Sequence, residues 1–471
     1  MVFKHSGQPL RLALLALALT TLHPAKAQVR GPVSSSAPSF SLDTPTSYAN
    51  TPFTPGVEHI YAGWGNLIKK LNKKGIGIVL DYTSESAIAL NGGNAGDAGY
   101  AHQIGVEVDL DWEKLIGWKG FVTHAVAVNR AGHNMAADFG DHSLNGFQEI
   151  YGGGGNVGVH LVYVYGTQDL LGGRVQLALG KMAVNTDFSA SPLYCTFMNK
   201  SICGNPKSTT RGDAGFATYP GSTYGGRIRI WPLHGVYFQA GAYGVNPVLN
   251  TNQYDRTGFN FSTNHYTGTY FPFEFGLIPS FTRNNLVGHY KIGIAYDNSD
   301  YTDEVRDDNG LIAALTGKKL RTDRGKTQIW VEADQMLVRN GYTPLQGLYV
   351  MAGYVHNDPH NSPYQNQWYA GLVDRGFFHA RPEDTFGVMI TQTTVSPDLA
   401  TTQAAQYAHG HKLSGNATQP QTNIIAIEAT YNIRVAAGLA VQPDYQHIIR
   451  PNLQKNLPSI DALGLKLHAV F

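Results

Sequence analysis

Residues Leu463 to Phe471 alternate without a break. Leu463, Leu465, Leu467, Ala469 and Phe471 fall on one face of an extended chain, opposite Gly464, Lys466, His468 and Val470. A tilted strand of roughly 9 to 11 residues crosses the hydrocarbon core of a bilayer. In a closed sheet, such a strand meets lipid on one side and water on the other. Phe471, an aromatic residue ending the apolar row, is a candidate assembly signal for an outer-membrane barrel. Taken alone, the stretch also fits an edge strand of a soluble sandwich.

The period of two recurs along the chain. Ile76, Ile78, Leu80 and Tyr82 form one row, and Ile104 to Trp112 sets Glu107, Asp109 and Asp111 opposite Ile104, Val106, Val108, Leu110 and Trp112. Three carboxylates in a row cannot face hydrocarbon, where each charge costs several kcal/mol, so they face water. Phe271, Phe273, Phe275 and Leu277, against Pro272, Glu274 and Gly276, form a lipid-like face. Comparable segments run at 121–130, 157–165, 174–182, 224–231, 236–245, 289–297, 327–337, 348–356, 368–378, 385–393, 423–432 and 436–446. The pattern predicts an all-β, transmembrane antiparallel barrel of about 16 strands over residues 76–471. Segments 121–130 and 327–337 read in either register. The polar stretches Ala183–Thr223, Asn246–Tyr270, Asn298–Lys326 and Val395–Thr422 alternate with short connectors, as expected for long loops outside and short turns inside. Tyr151 to Gly155 reads as a turn.

Before the first strand the period is 3.6. Trp64, Leu67, Ile68 and Leu71 share a face, Lys69, Lys70, Lys73 and Lys74 crowd the C-terminal end, and Gly75 suits the C′ position. A short amphipathic helix within 57–75 is expected, packed at the periplasmic mouth of a barrel or covering the edge of a soluble sheet. Further upstream, Lys4 and Arg11 precede the apolar run Leu12–Leu19, and Ala25 and Ala27 supply a small-residue cleavage site. Residues 1–27 therefore read as a cleaved signal peptide. Residues 28–56, rich in Pro, Ser and Thr, read as a leader that cannot bury enough apolar surface to order itself.

Composition narrows the class. With 53 glycines and 26 tyrosines in 471 residues, turns and strands are favoured over helices. Lys and Arg total 35 against 34 Asp and Glu, so no excess charge points to nucleic acid. Mean hydropathy is −0.21, and no apolar run of about 18 residues follows the N-terminus, which excludes a helical membrane protein. The only cysteines, Cys195 and Cys203, lie in a turn-rich segment of an exported chain. A loop disulfide is the reading, with a pair of free thiols as the alternative.

No nucleophile elbow, zinc-protease helix or phosphate loop is present, and the reading is neither an enzyme nor a cofactor protein. His356, Asp358 and His360, His409 and His411, and the acidic run from Asp297 to Asp308 all read as solvated loops rather than metal sites. The informative charges lie inside strands. Arg227 and Arg229 oppose Ile228 and Ile230, and His289 and Lys291 oppose Tyr290, Ile292 and Ile294. With Glu107, Asp109, Asp111, Glu274 and Glu428 they are the candidate pore lining, of mixed sign. Arginine donors and carboxylate acceptors suit neutral polyols, and aromatic rings add stacking surface.

Several motifs resemble the carbohydrate-selective outer-membrane porins of the OprB type. They are Trp64–Leu67, Lys74–Ile76, Asp81–Glu85, Gln148–Gly153, Ser191–Cys195, Cys203–Pro206, Gly288–Lys291, Ala333–Leu337, Arg381–Asp384 and Gln442–Gln446. The resemblance spans residues 57 to 471 in order; the long leader and Lys181, where an arginine is more usual, depart from it. It implies a sixteen-stranded barrel in a Gram-negative outer membrane. Glucose, related monosaccharides and disaccharides would pass without energy input or cofactor, in a monomer or a homotrimer. The competing readings are a secreted soluble β-rich carbohydrate-binding protein or glycoside hydrolase, and a non-selective general porin.

Overall fold

The computed structural model describes residues 59–141, 147, 155–249, 256–278, 280–281, 286–340 and 346–471. The signal-peptide and leader readings, the Gln148–Gly153 motif and most of the Tyr151–Gly155 connector lie outside these residues.

Strands dominate. They are β1 (Ile76–Asn91), β2 (Ala98–Asp111), β3 (Phe121–Gly132), β4 (Val157–Leu170), β5 (Val175–Met182), β6 (Thr223–Leu233), β7 (Val236–Val245), β8 (Gly268–Leu277), β9 (Ser280–Phe281), β10 (Leu286–Asp307), β11 (Leu320–Arg339), β12 (Gly347–Asn357), β13 (Tyr364–Arg375), β14 (Thr385–Val395), β15 (Asn423–Ala436), β16 (Leu439–Ile449) and β17 (Ile460–Val470). Each pairs antiparallel with its neighbour, the two-residue β9 pairing only with the start of β10. β1 pairs with both β2 and β17, from Asp81↔Val470 to Asn91↔Asp461, so the sheet has no open edge. Sixteen staves thus form a closed barrel, as the alternation predicts. No helix among the described residues is long and apolar enough to cross a membrane.

The rows face as expected. Ile104, Val106, Phe273, Ile292, Ile294, Leu463 and Leu465 are exposed on the outer surface, while Glu107, Asp109, Glu274, Lys291 and Lys466 are buried inside. An aqueous protein would not present such a band; a hydrocarbon surround requires it. The two ambiguous segments resolve. In β11, Gln328, Trp330, Glu332 and Asp334 point inward, and Ile329 and Val331 outward. In β3, Val122, His124, Val126, Val128 and Arg130 are the buried row. That row carries valines because a loop packs against it inside the barrel, which is why hydrophobicity alone left the register open.

At the seam, Glu85 and Lys466 are register partners and form an ion pair of 3.0 Å, with side chains 0% and 1% exposed. The helix Ala62–Lys73 precedes β1, and Gly75 follows at φ +92°, a left-handed geometry that favours glycine. His59 and Ile60 meet the end of β17: Ile60 N donates to Val470 O at 2.9 Å, and the Phe471 amide donates to Leu80 O at 2.9 Å. The segment before the N-terminal helix and the end of β17 therefore meet at the short-turn end of the barrel.

Two loop readings need correction. Asn298–Lys326 is mostly strand: β10 has 22 residues and β11 has 20, about twice what a bilayer needs, so this hairpin stands beyond the membrane and is polar there. Ala183–Thr223 does not join the outer loops but folds into the barrel.

Candidate functional site

The segment from Ala183 to Ser222 leaves β5, fills the interior and returns to β6. Its backbone is irregular, with short helical turns at Val184–Thr186, Tyr194–Thr196 and Lys207–Gly212. Nearly every residue is buried. Phe188, Phe216 and Tyr219 pack with Val126, Val128, Tyr163, Tyr243 and Trp330 of the wall, and Leu193, Tyr194, Phe197 and Ile202 with Met336, Tyr349, Met351 and Tyr369. Cys195 and Cys203 form a disulfide across eight residues of this loop, as the sequence suggests.

An irregular backbone inside a barrel needs partners for its amides and carbonyls, because no ladder supplies them. The wall provides them. Glu274 accepts from Ser189 N at 3.1 Å, from Gln239 Nε2 and Tyr237 Oη at 2.8 Å, and from Trp330 Nε1 at 2.8 Å. Glu428 accepts from the amides of Met198 at 2.5 Å and Asn199 at 3.1 Å. Lys291 Nζ donates to Ala190 O. Arg227 and Arg229 both pair with Asp187 of the loop, at 3.0 and 2.8 Å. His289 meets Asp334 at 2.5 Å, and Asp334 in turn accepts from Ser191 Oγ at 3.1 Å. Six of the nine candidate pore residues thus act together to hold one loop, directly or through Asp334.

The other three lie elsewhere. Glu107 and Asp109 are buried beside His124, whose Nδ1 is 2.6 Å from Asp109 and whose ring stacks on Tyr165. Their ligand atoms lie within 4.8 Å of one another, the only such His and carboxylate group among the described residues. Asp111 sits at the strand end, where its carboxylate caps the helix Trp112–Ile116 and pairs with Lys114 at 3.0 Å. The proposed loop histidines do not converge: His356 bonds Asn366, and His360 bonds Asp398. Within the acidic run, Asp303 is buried in β10, pairs with Arg321 at 3.1 Å, and is not a solvated loop residue.

Polar wall residues not singled out from the sequence complete the socket. Gln367 accepts from Ser208 N and donates to Ser201 O, both at 2.8 Å. Gln442 donates to Thr196 O at 2.9 Å, Gln446 accepts from Asn199 Nδ2 at 2.7 Å, and Gln328 donates to Thr209 O at 2.9 Å. Their signal was present as inward polar residues at period two, as in Gln442, Asp444 and Gln446; what they bind was not.

A closed sixteen-strand barrel with an inward loop narrows the comparison to channels. Residues 95–471 match the description "Carbohydrate-selective porin, OprB family". The chain belongs to the OprB family. It is 27% identical over 434 residues to Porin B of Pseudomonas aeruginosa, covering 90% of this chain and 94% of that protein. Its fold matches the high-pH structure of Pseudomonas putida OprB with a TM-score of 0.82 at 25% identity, covering 89% of this chain and all of that one. This places it among channels rather than enzymes, in a Gram-negative outer membrane.

The family motifs now have a common physical content. In this OprB porin, Ser191–Cys195 and Cys203–Pro206 belong to the inward loop, while Gly288–Lys291, Ala333–Leu337 and Gln442–Gln446 carry the wall groups that grip it. Arg381–Asp384 is a clamp at a short turn: Asp384 binds Arg381, Tyr431 Oη at 2.8 Å and the Arg434 amide at 3.0 Å. Burial alone would raise the Asp384 carboxyl, but these donors outweigh it and hold it below the usual range. Lys181, the departure from the family pattern, donates to Gly258 O, tying the β7–β8 connection to the inner wall.

Proposed function

We propose that the Ala183–Ser222 loop is the selectivity element of this porin and that glucose, related monosaccharides and disaccharides diffuse past it into the periplasm. The observation that carries this is the density of side-chain bonds to the loop backbone from β8, β10, β13, β15 and β16. A passage that discriminates hydroxylated solutes by size and hydrogen bonding needs a rigid edge, and a loop gripped by buried carboxyl, amide and ammonium groups is one. Each barrel carries its own loop, so selection is complete within one chain in a monomer or a homotrimer. Export by a cleaved signal at residues 1–27, a tether at 28–56, and recognition of the Phe471 end by the barrel-assembly machinery belong to the same reading.

Swelling of liposomes holding the refolded protein tests it. Glucose should enter faster than an uncharged amino acid of similar size, and a disaccharide more slowly than glucose. Equal rates for glucose and the amino acid would make this a general porin.

A further inference from the structure

At the short-turn end, beneath β1, β2 and β3, two helices meet. The 12-residue helix Ala62–Lys73 ends against the turn helix Trp112–Ile116: Asp111 N donates to Gly75 O at 2.8 Å, and Lys114 Nζ to Asn72 O at 3.4 Å. Their junction lies at the periplasmic boundary of the membrane. Trp112 Nε1 donates to Thr123 Oγ1 and Trp118 Nε1 to Gln168 Oε1, both at 3.0 Å, and the Trp118 ring stacks on Phe121 with centroids 4.3 Å apart. Phe121 and Thr123 belong to the outer row of β3, so these rings form an aromatic girdle at the headgroup layer.

Two features of this corner have no role in the pore. Leu67, Leu115, Ile116 and Trp118 are exposed, Ile116 at 69% and Trp118 at 53%, a patch that calls for a partner. Lysines accompany it. Lys69, Lys70, Lys73, Lys74, Lys114 and Lys119 are all exposed, and no acidic residue occurs from His59 to Leu80. Leu67, Lys70 and Lys74 share one stripe of the helix. Of the two acids nearby, Asp111 caps the Trp112–Ile116 helix and pairs with Lys114, and Glu113 accepts from Gly120 N at 3.2 Å. Lys69, Lys70, Lys73, Lys74 and Lys119 make no ion pair among the described residues. The helix dipole favours cations near the C-terminal turn, which accounts for Lys70, Lys73 and Lys74 but not for Lys69 or Lys119.

A membrane surface satisfies both features, because apolar side chains enter the boundary between headgroups and acyl chains while lysine stems reach the phosphates. We propose that this corner of the rim is a docking surface for anionic phospholipid headgroups of the periplasmic leaflet, with the Ala62–Lys73 helix lying along them. Charge selects the occupant. A zwitterionic headgroup offsets its phosphate with its own ammonium, whereas phosphatidylglycerol leaves its phosphate for the lysines.

Native mass spectrometry of the refolded protein in detergent provides the test, with phosphatidylglycerol and phosphatidylethanolamine of equal acyl chains supplied in equal amounts. One lysine near an anionic surface adds about fivefold to binding, so phosphatidylglycerol should be retained about fivefold or more over phosphatidylethanolamine. Raising ammonium acetate from about 0.05 to 0.5 M should shrink that ratio. Lys69→Gln, Lys70→Gln, Lys73→Gln and Lys74→Gln together should bring it close to one, while Lys318→Gln with Lys319→Gln, at the exposed end of the β10–β11 hairpin, should leave it unchanged. Equal retention of the two lipids by the wild type would overturn the proposal, as would a ratio indifferent to salt, which needs no variant. So would a ratio unmoved by the four helix substitutions in a barrel of unchanged strand content, or one lowered as much by the Lys318 and Lys319 pair. Sedimentation with purified peptidoglycan in the absence of any lipid preference would assign the lysines to the cell wall and overturn it too.

Discussion

Removing Glu428 should loosen the inward loop around Met198 and Asn199, which it holds from across the barrel. The Glu428 carboxyl group accepts the amides of Met198 and Asn199, at 2.5 and 3.1 Å, from 230 and 229 residues away. An ordinary buried hydrogen bond contributes about 0.5 to 1.5 kcal/mol net, and Glu428→Ala also leaves two buried amides without an acceptor, at about 1 to 3 kcal/mol each. Taking the lower figure of both ranges for each bond, the docked loop loses about 3 kcal/mol, a rise of roughly 100-fold in the undocked population relative to the docked. Asn199 keeps its bond to Gln446, and Thr196 O its bond to Gln442, so the loop opens locally and remains in the barrel. The effect should appear as noisier and larger single-channel currents, with faster entry of a trisaccharide into liposomes. Glu428→Gln, which keeps a carbonyl acceptor, should fall between the two. A folded Glu428→Ala barrel with wild-type conductance, noise and size exclusion would refute the claim that wall carboxyl groups set the shape of this loop.

Other outcomes follow from the same geometry. Replacing Cys195 and Cys203 with alanine, or adding reductant, should destabilise the loop by about 2 to 3 kcal/mol without unfolding the barrel, seen as increased current noise at unchanged strand content by circular dichroism. Glu85→Ala leaves Lys466 buried without its carboxylate at the closing seam and should lower barrel stability in urea by about 3 to 5 kcal/mol; an unchanged midpoint would mean the seam pair is dispensable. Phe273→Arg on the outer row should cost about 2 to 4 kcal/mol in lipid, and a folding free energy equal to wild type would place that row outside the hydrocarbon. Because Asp384 is held below its ordinary range, its clamp stabilises above the unfolded carboxyl value and is lost as pH falls through the folded one. Asp384→Asn should flatten that acid limb of the stability profile.

The alternation of apolar and polar residues determined which face of most strands meets lipid and that there are about sixteen of them. It also brought Arg227, Arg229, Lys291, Glu274 and Glu428 to the interior, because the direction of a side chain in a strand depends only on its neighbours. A period cannot show what those groups touch. Ala183–Thr223 is polar and turn-rich, like the outer loops, and only the closed barrel decides that it enters the lumen and consumes their hydrogen bonds. The valines of β3 hid its register for the same reason, since they face that loop and not water. His124 carried no signal of its own; its place beside Glu107 and Asp109 follows from the pairing of β2 with β3. Local chemistry is written at short range in the chain, whereas this site is made of contacts across up to half its length, which exist only once the barrel has closed.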